Sequence, residues 1–103
     1  MKDYESKIIL QCHAELEWLA PNGEQDDDWD WRLEYEGRKG ELTILESTTL
    51  HAGQNYAFLL FPNGTYLHTS CGAYYLQNNR IILITKQTVY CFRVLSLGEM
   101  EKE

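Results

Sequence analysis

The chain reads as an all-β domain, a single small antiparallel up-and-down meander of about eight strands. Two features carry this. Apolar and polar residues alternate with a period of two in several segments, and turn signals recur every 8–12 residues. At 103 residues there is length for one domain, residues 1–103, with ends at 1–6 and 98–103 expected to fray. Apolar residues make up 44% of it, so a core can be buried.

Residues 8–20 allow two readings. As a strand, Leu10, Cys12, Ala14, Leu16 and Trp18 share one face, with Gln11, His13, Glu15 and Glu17 on the other. As a helix the polar residues scatter around the wheel, so the strand is favoured although Glu and Ala prefer helix. Pro21-Asn22-Gly23 opens a polar loop through Asp28. Alternation then returns: Trp29, Trp31, Leu33 and Tyr35 face one way and Asp30, Arg32, Glu34 and Glu36 the other, the pattern of a half-buried strand. On that reading Trp31 belongs to the core, and Trp29, next to the loop, stands partly exposed. Gly37-Arg38-Lys39-Gly40 is a hairpin turn, and residues 41–48 form a strand with Leu42 and Ile44 inward.

Residues 56–61 follow the loop 51–55, and Pro62-Asn63-Gly64 turns the chain with a strong hairpin signal. Strands are expected at 65–70, 73–77, 80–86 and 88–97, separated by turns at Cys71-Gly72 and Asn78-Asn79. Tyr74 and Tyr75 are adjacent, so one of them must point outward. Short connections make sequential neighbours antiparallel, and the meander closes into a closed or partly open β-barrel or folds as a β-sandwich; the barrel is favoured because closure removes both edges.

The segments Phe61-Pro62-Asn63-Gly64-Thr65-Tyr66, Gly72-Ala73-Tyr74-Tyr75 and Asn79-Arg80-Ile81-Ile82-Leu83 resemble the run of strands and turns in small lipocalin-like, or calycin, barrels. The resemblance covers about a quarter of the chain. It implies a Trp on an early strand, Trp18 or Trp31, stacked with a basic residue on the last strand, Arg93. The family's Gly-x-Trp near the start is absent: Trp18 follows Leu16-Glu17 and Trp31 follows Trp29-Asp30. Barrels of this architecture and length are similar to small-ligand carriers on one side and to protease inhibitors on the other.

Charge narrows the function. Sixteen acids face nine Lys and Arg, a net charge of −7. The first fifty residues hold 13 of the acids, and none lies between Ser47 and Gly98. Direct nucleic-acid binding needs a basic patch and is not expected. No apolar run is long enough to span a membrane, and the stretch at residues 8–10 is too short for a signal-peptide core. With three cysteines, an odd number, reduced thiols in a cytoplasm are the expectation.

Cys12-His13 and His68-x-x-Cys71 hold ligand types that suit zinc, but the spacing is not that of a zinc site, and no metal or cofactor is expected. Cys71 with His68 or His51 could form a nucleophile pair, yet no nucleophile elbow, phosphate loop or dinucleotide fingerprint occurs, so the chain is not expected to be an enzyme. Asp26, Asp27, Asp28 and Asp30 lack the Gly and Glu positions of a calcium loop. The favoured site is therefore a contact surface: Glu24, Asp26, Asp27, Asp28, Trp29 and Asp30, carboxylates beside an aromatic anchor. The expected function is a non-catalytic inhibitor of the immunity-protein or intracellular protease-inhibitor kind that occludes a basic surface of a toxin or protease. Two alternatives remain: a lipocalin-like binder of a small apolar ligand, and an acidic mimic of nucleic acid directed at a host defence nuclease.

Overall fold

The computed structural model describes residues 6–25, 29–48 and 53–96. Seven strands form one antiparallel sheet: β1 (Ser6–Pro21), β2 (Lys39–Ser47), β3 (Asn55–Leu60), β4 (Tyr66–His68), β5 (Gly72–Gln77), β6 (Arg80–Thr85) and β7 (Thr88–Ser96). A 3₁₀ segment, Trp29–Tyr35, lies between β1 and β2. The sheet closes on itself. β1 pairs with β2 on one side and β7 on the other, β2 pairs with β3, and the far wall runs β5–β6–β7. The result is a barrel-like ring of hydrogen bonds in up-and-down order, which joins the first strand to the last.

Three expectations change. Residues 29–35 are not a strand. The alternation of Trp29-Asp30-Trp31-Arg32-Leu33-Glu34-Tyr35 also satisfies a period of three, which stacks Trp29, Arg32 and Tyr35 on one side of a 3₁₀ helix. Second, Cys71-Gly72 does not reverse the chain. β4 and β5 both run antiparallel to β3, β4 opposite Phe58 to Leu60 and Gly72 opposite Asn55, so they are two pieces of one interrupted strand. At the interruption the Thr69 hydroxyl accepts the Ala57 amide (2.9 Å) while the Thr69 amide donates to the Ala57 carbonyl (3.0 Å). A side chain there replaces half of a backbone ladder. Third, Ser6, expected to fray, pairs with Ser47 at the start of β1; the ends 1–5 and 97–103 lie outside the described residues.

The period-two pattern held in β1 up to Leu16 and in β2, and the same alternation orders the apolar runs of β3 and β6. Cys12, Ala14 and Leu16 of β1, Leu42 and Ile44 of β2, Ala57 and Leu59 of β3, and Ile81 and Leu83 of β6 all turn inward. With Tyr90 and Phe92 of β7 they fill the ring. Trp18 was expected beside them and is not. The register between β1 and β7 shifts between Leu16 and Trp18, so Glu17 is an extra, bulged residue. The bulge reverses the alternation: Leu16 and Leu19 are buried, and Trp18 stands outside at 41% exposure.

The same bulge directs Glu17 across β7 to Arg80 of β6. Arg80 donates from Nε to Oε1 (2.6 Å) and from Nη2 to Oε2 (2.9 Å), a two-pronged grip. A second pair, Arg93 Nη2 to Glu15 Oε1 (2.6 Å), lies beside it. Hydrogen bonding by Arg80 holds the Glu17 carboxyl below its ordinary value of 4.5. A carboxyl lowered on folding contributes stability above that ordinary value and loses it as pH falls through the folded value. Glu17→Gln should therefore flatten the acid limb of a stability-against-pH curve, read as urea midpoints. Equal acid sensitivity in both proteins would show that the pair contributes nothing.

Candidate functional site

Beyond Glu15 opposite Lys39, β1 continues alone past the end of β2, leaving one edge of its second half unpaired. The 3₁₀ segment and the turn after it cover that edge. Leu16 donates its amide to the Arg38 carbonyl (2.9 Å) and accepts from Gly37 (2.7 Å), and the Leu19 amide donates to Glu36 Oε2 (3.2 Å).

The inward side chains of this segment anchor it. Trp29 is only 8% exposed, and its indole Nε1 donates to Thr88 Oγ1 (2.8 Å) at the β6–β7 turn. The Thr85 hydroxyl donates to the Thr88 carbonyl (2.9 Å) and accepts from the Thr88 amide (3.2 Å), which fixes the backbone that carries the receiving hydroxyl. Tyr35 stacks on Phe61 with centroids 5.6 Å apart and planes 9° apart, and Arg38 lies over Phe61 at 4.1 Å.

The outward side chains are Trp31, at 45% exposure, and Leu33, at 43%. This inverts the expectation for the two tryptophans: Trp29 is the core ring and Trp31 the exposed one. Trp31 is nevertheless held. Arg32 lies over its ring at 4.7 Å, and Tyr35 meets it edge-on at 5.9 Å. Arg32 also donates to the Trp29 carbonyl (3.2 Å). An exposed ring fixed on two sides loses little freedom when a partner covers it, the property of an interface anchor.

The carboxylates of Glu24, Asp30, Glu34 and Glu36, on the same stretch of chain, are exposed. Asp26, Asp27 and Asp28 lie outside the described residues. Of the expected contact residues, then, Glu24 and Asp30 are exposed and Trp29 is not available to a partner. Trp31, Leu33 and Glu34 are exposed too and were not among the expected residues; the signal for their exposure is the three-residue spacing of Trp29, Arg32 and Tyr35.

The other candidate chemistries are dispersed. Cys12 and Cys91 are buried, and burial pushes the thiols of Cys12, Cys71 and Cys91 above their ordinary value. His68 lies against Tyr56 (5.1 Å) and Phe58 (6.2 Å) on the outer face. Among the described residues no three His, Cys, Asp or Glu side chains gather where they could hold a metal ion. Nor is any helix among them long and apolar enough to cross a membrane. A depression of about 610 Å³ opens beside the β4–β5 interruption, lined in part by Ser70, Cys71, Ile84 and Lys86. The Arg93 guanidinium engages Glu15, while the arginines that lie over rings are Arg32 and Arg38.

Comparison with family models, curated proteins and solved structures gives no match. The likeness to lipocalin-like barrels rests on its own residues alone.

Proposed function

We propose that the chain is a non-catalytic binding protein of the immunity-protein or intracellular protease-inhibitor kind, which occludes a basic cleft of a protein partner. One observation carries this reading: Trp31, held by Arg32 and Tyr35, and Leu33 stand exposed on a segment that the buried Trp29 anchors and whose sequence is rich in carboxylates. Seven of the chain's acids, Glu24, Asp26, Asp27, Asp28, Asp30, Glu34 and Glu36, fall within fourteen residues there, with Arg32 the single base. Arg32 is already engaged by both tryptophans. The carboxylates draw a basic partner in and orient it, and the aromatic and aliphatic side chains supply the desolvated centre. Buried side chains occupy the interior of the ring, which favours contact through an outer surface over a ligand held inside.

The test is capture from a lysate of the native cells with wild type, with Trp31→Ala, and with Asp26, Asp27 and Asp28 all changed to Lys. Wild type should recover one basic protein, lost at high salt. Trp31→Ala should weaken the purified pair by about 2 kcal/mol, roughly thirtyfold, mainly through faster dissociation. The lysine triple variant should associate more slowly and lose the salt dependence. A target bound equally well by all three proteins would move the interface elsewhere.

A further inference from the structure

The ring leaves one strand edge open. We infer that β5 pairs along this edge with β5 of a second copy of the chain, antiparallel and about a two-fold axis beside Tyr75.

β5 and β6 are joined by a two-residue turn, Asn78-Asn79, so the pair that closes it, Gln77 and Arg80, exchanges backbone hydrogen bonds. Bonded and non-bonded pairs alternate along an antiparallel ladder. Tyr75 with Ile82 and Ala73 with Ile84 are therefore bonded pairs, and the N–H and C=O of Tyr74 and Leu76 point away from β6. Gly72 belongs to the same outward series and meets Asn55, where β3 begins. Past that point β5 runs on alone: among the described residues no backbone group meets Tyr74 or Leu76 on this side. The open edge of β1 is covered by the 3₁₀ segment and its turn, and this one has no such cover among the described residues. Charges, prolines and bulges are the usual protection of an exposed edge, and residues 73–77 hold none of them.

The side chains mark what is missing. Tyr74 and Leu76 lie opposite Leu83 and Ile81, which are inward and buried, so both stand on the core side of the sheet. Tyr74 packs against the core. Leu76 is 63% exposed, the most exposed large apolar side chain among the described residues. A leucine on the core side is left in water here because no strand flanks it.

The occupant has to supply extended backbone with uncharged, apolar side chains on alternate residues. β5 itself does so. A two-fold axis beside Tyr75 sets Tyr74 of each copy opposite Leu76 of the other, so the outward amides of one strand find the outward carbonyls of the next. Leu76 is then flanked by Tyr74 of the second copy, and the two Tyr75 rings meet on the outer side as an aromatic cross-strand pair. A centre at Tyr74 would instead set Leu76 against Gly72, whose edge β3 already holds. The lengths agree as well. Ala73 comes opposite Gln77, so the Asn78-Asn79 turn of each copy arrives where β3 of the other takes over. A few strand residues make a small contact, so the dimer is a micromolar one.

Sedimentation of the purified chain from about 1 to 300 μM tests this, with a monomer–dimer equilibrium as the expected result. Leu76→Pro removes an N–H that faces away from β6, so the ladder within the chain survives. It should raise the dimer dissociation constant roughly tenfold or more with unchanged circular dichroism. Trp31→Ala should leave that constant unchanged, which separates this edge from the acidic surface. If Leu76→Pro fails to fold, Leu76→Lys takes its place with the same expected rise. Amide exchange of the wild type gives an independent reading. Tyr74 and Leu76 should be protected at high concentration and exchange freely on dilution, while Ala73 and Tyr75 stay protected throughout. A monomer at every concentration, a dimer that substitution of Leu76 leaves intact, or exchange at Tyr74 and Leu76 that ignores concentration would overturn the assignment.

Discussion

Trp29→Ala is expected to cost about 3–5 kcal/mol, the range for removing a large buried ring. A domain of this size has only about 5–15 kcal/mol in total, so the variant should lose a large share of its stability. Two losses combine. The ring leaves a cavity between the 3₁₀ segment and the β6–β7 turn, and Thr88 Oγ1 loses the indole donor that reaches it at 2.8 Å. Trp29→Phe separates them: it keeps most of the volume and should cost about 1–3 kcal/mol. Trp31→Ala, two residues on, should stay within about 0.5–1 kcal/mol of wild type, since it loses only exposed ring contacts. Urea unfolding followed by far-ultraviolet circular dichroism measures all three, independently of the fluorescence the substitutions remove. Equal costs for the two alanine variants would mean that the 3₁₀ segment does not hold the rings as described.

Gly72→Ala should be the most damaging single methyl in the chain. A Cβ at this position would run into the Ile84 carbonyl, backbone that cannot step aside. Gly72 is also the one residue of β5 that pairs with β3, opposite Asn55, while it pairs with Thr85 on the other side. The methyl therefore wedges β5 from β6 at the narrow point of the ring. About 3 kcal/mol or more is expected, the upper end of overpacking costs. Gly64→Ala is a useful comparison. Gly64 has a φ of 93° and open space where the methyl would go, so only backbone strain of about 1–2 kcal/mol applies. Thermal unfolding of the two variants should rank them in that order; the reverse order would contradict the close approach of β5 to β6.

What could be read from the residues alone depended on whether one local rule had a single solution. Asn63 and Gly64 turn the chain as expected, because the Asn63 side chain accepts from both the Thr65 amide (3.0 Å) and hydroxyl (2.7 Å), chemistry contained in three residues. Asn78, at φ 58°, supplies the left-handed residue of the β5–β6 hairpin. The inward face of β2 was equally legible. The 3₁₀ segment was not, because its alternation satisfies two periods at once and only tertiary contacts, Trp29 on Thr88 and Tyr35 on Phe61, choose between them. The Glu17 bulge was hidden too: nothing near residue 17 announces an extra residue, and the partner that stabilises it, Arg80, lies 63 positions away. The acidic character of the proposed contact surface was therefore readable from composition, whereas the identity of the exposed aromatic ring depended on a period that the sequence leaves open.

Closure of the ring through β1 and β7 has a consequence for how the protein is made. The strand that leaves the ribosome first finds one of its two partners at once, since β2 follows within a few tens of residues. Its other partner is Thr88–Ser96, the last described strand. Until that segment emerges, one long edge of β1 is open to whatever else can add a strand. Hairpins β2–β3 and β5–β6 can form early from local contacts, but the domain itself must assemble late, in a slow closing step dominated by distant pairing. For this chain the vulnerable interval is synthesis, not the folded state.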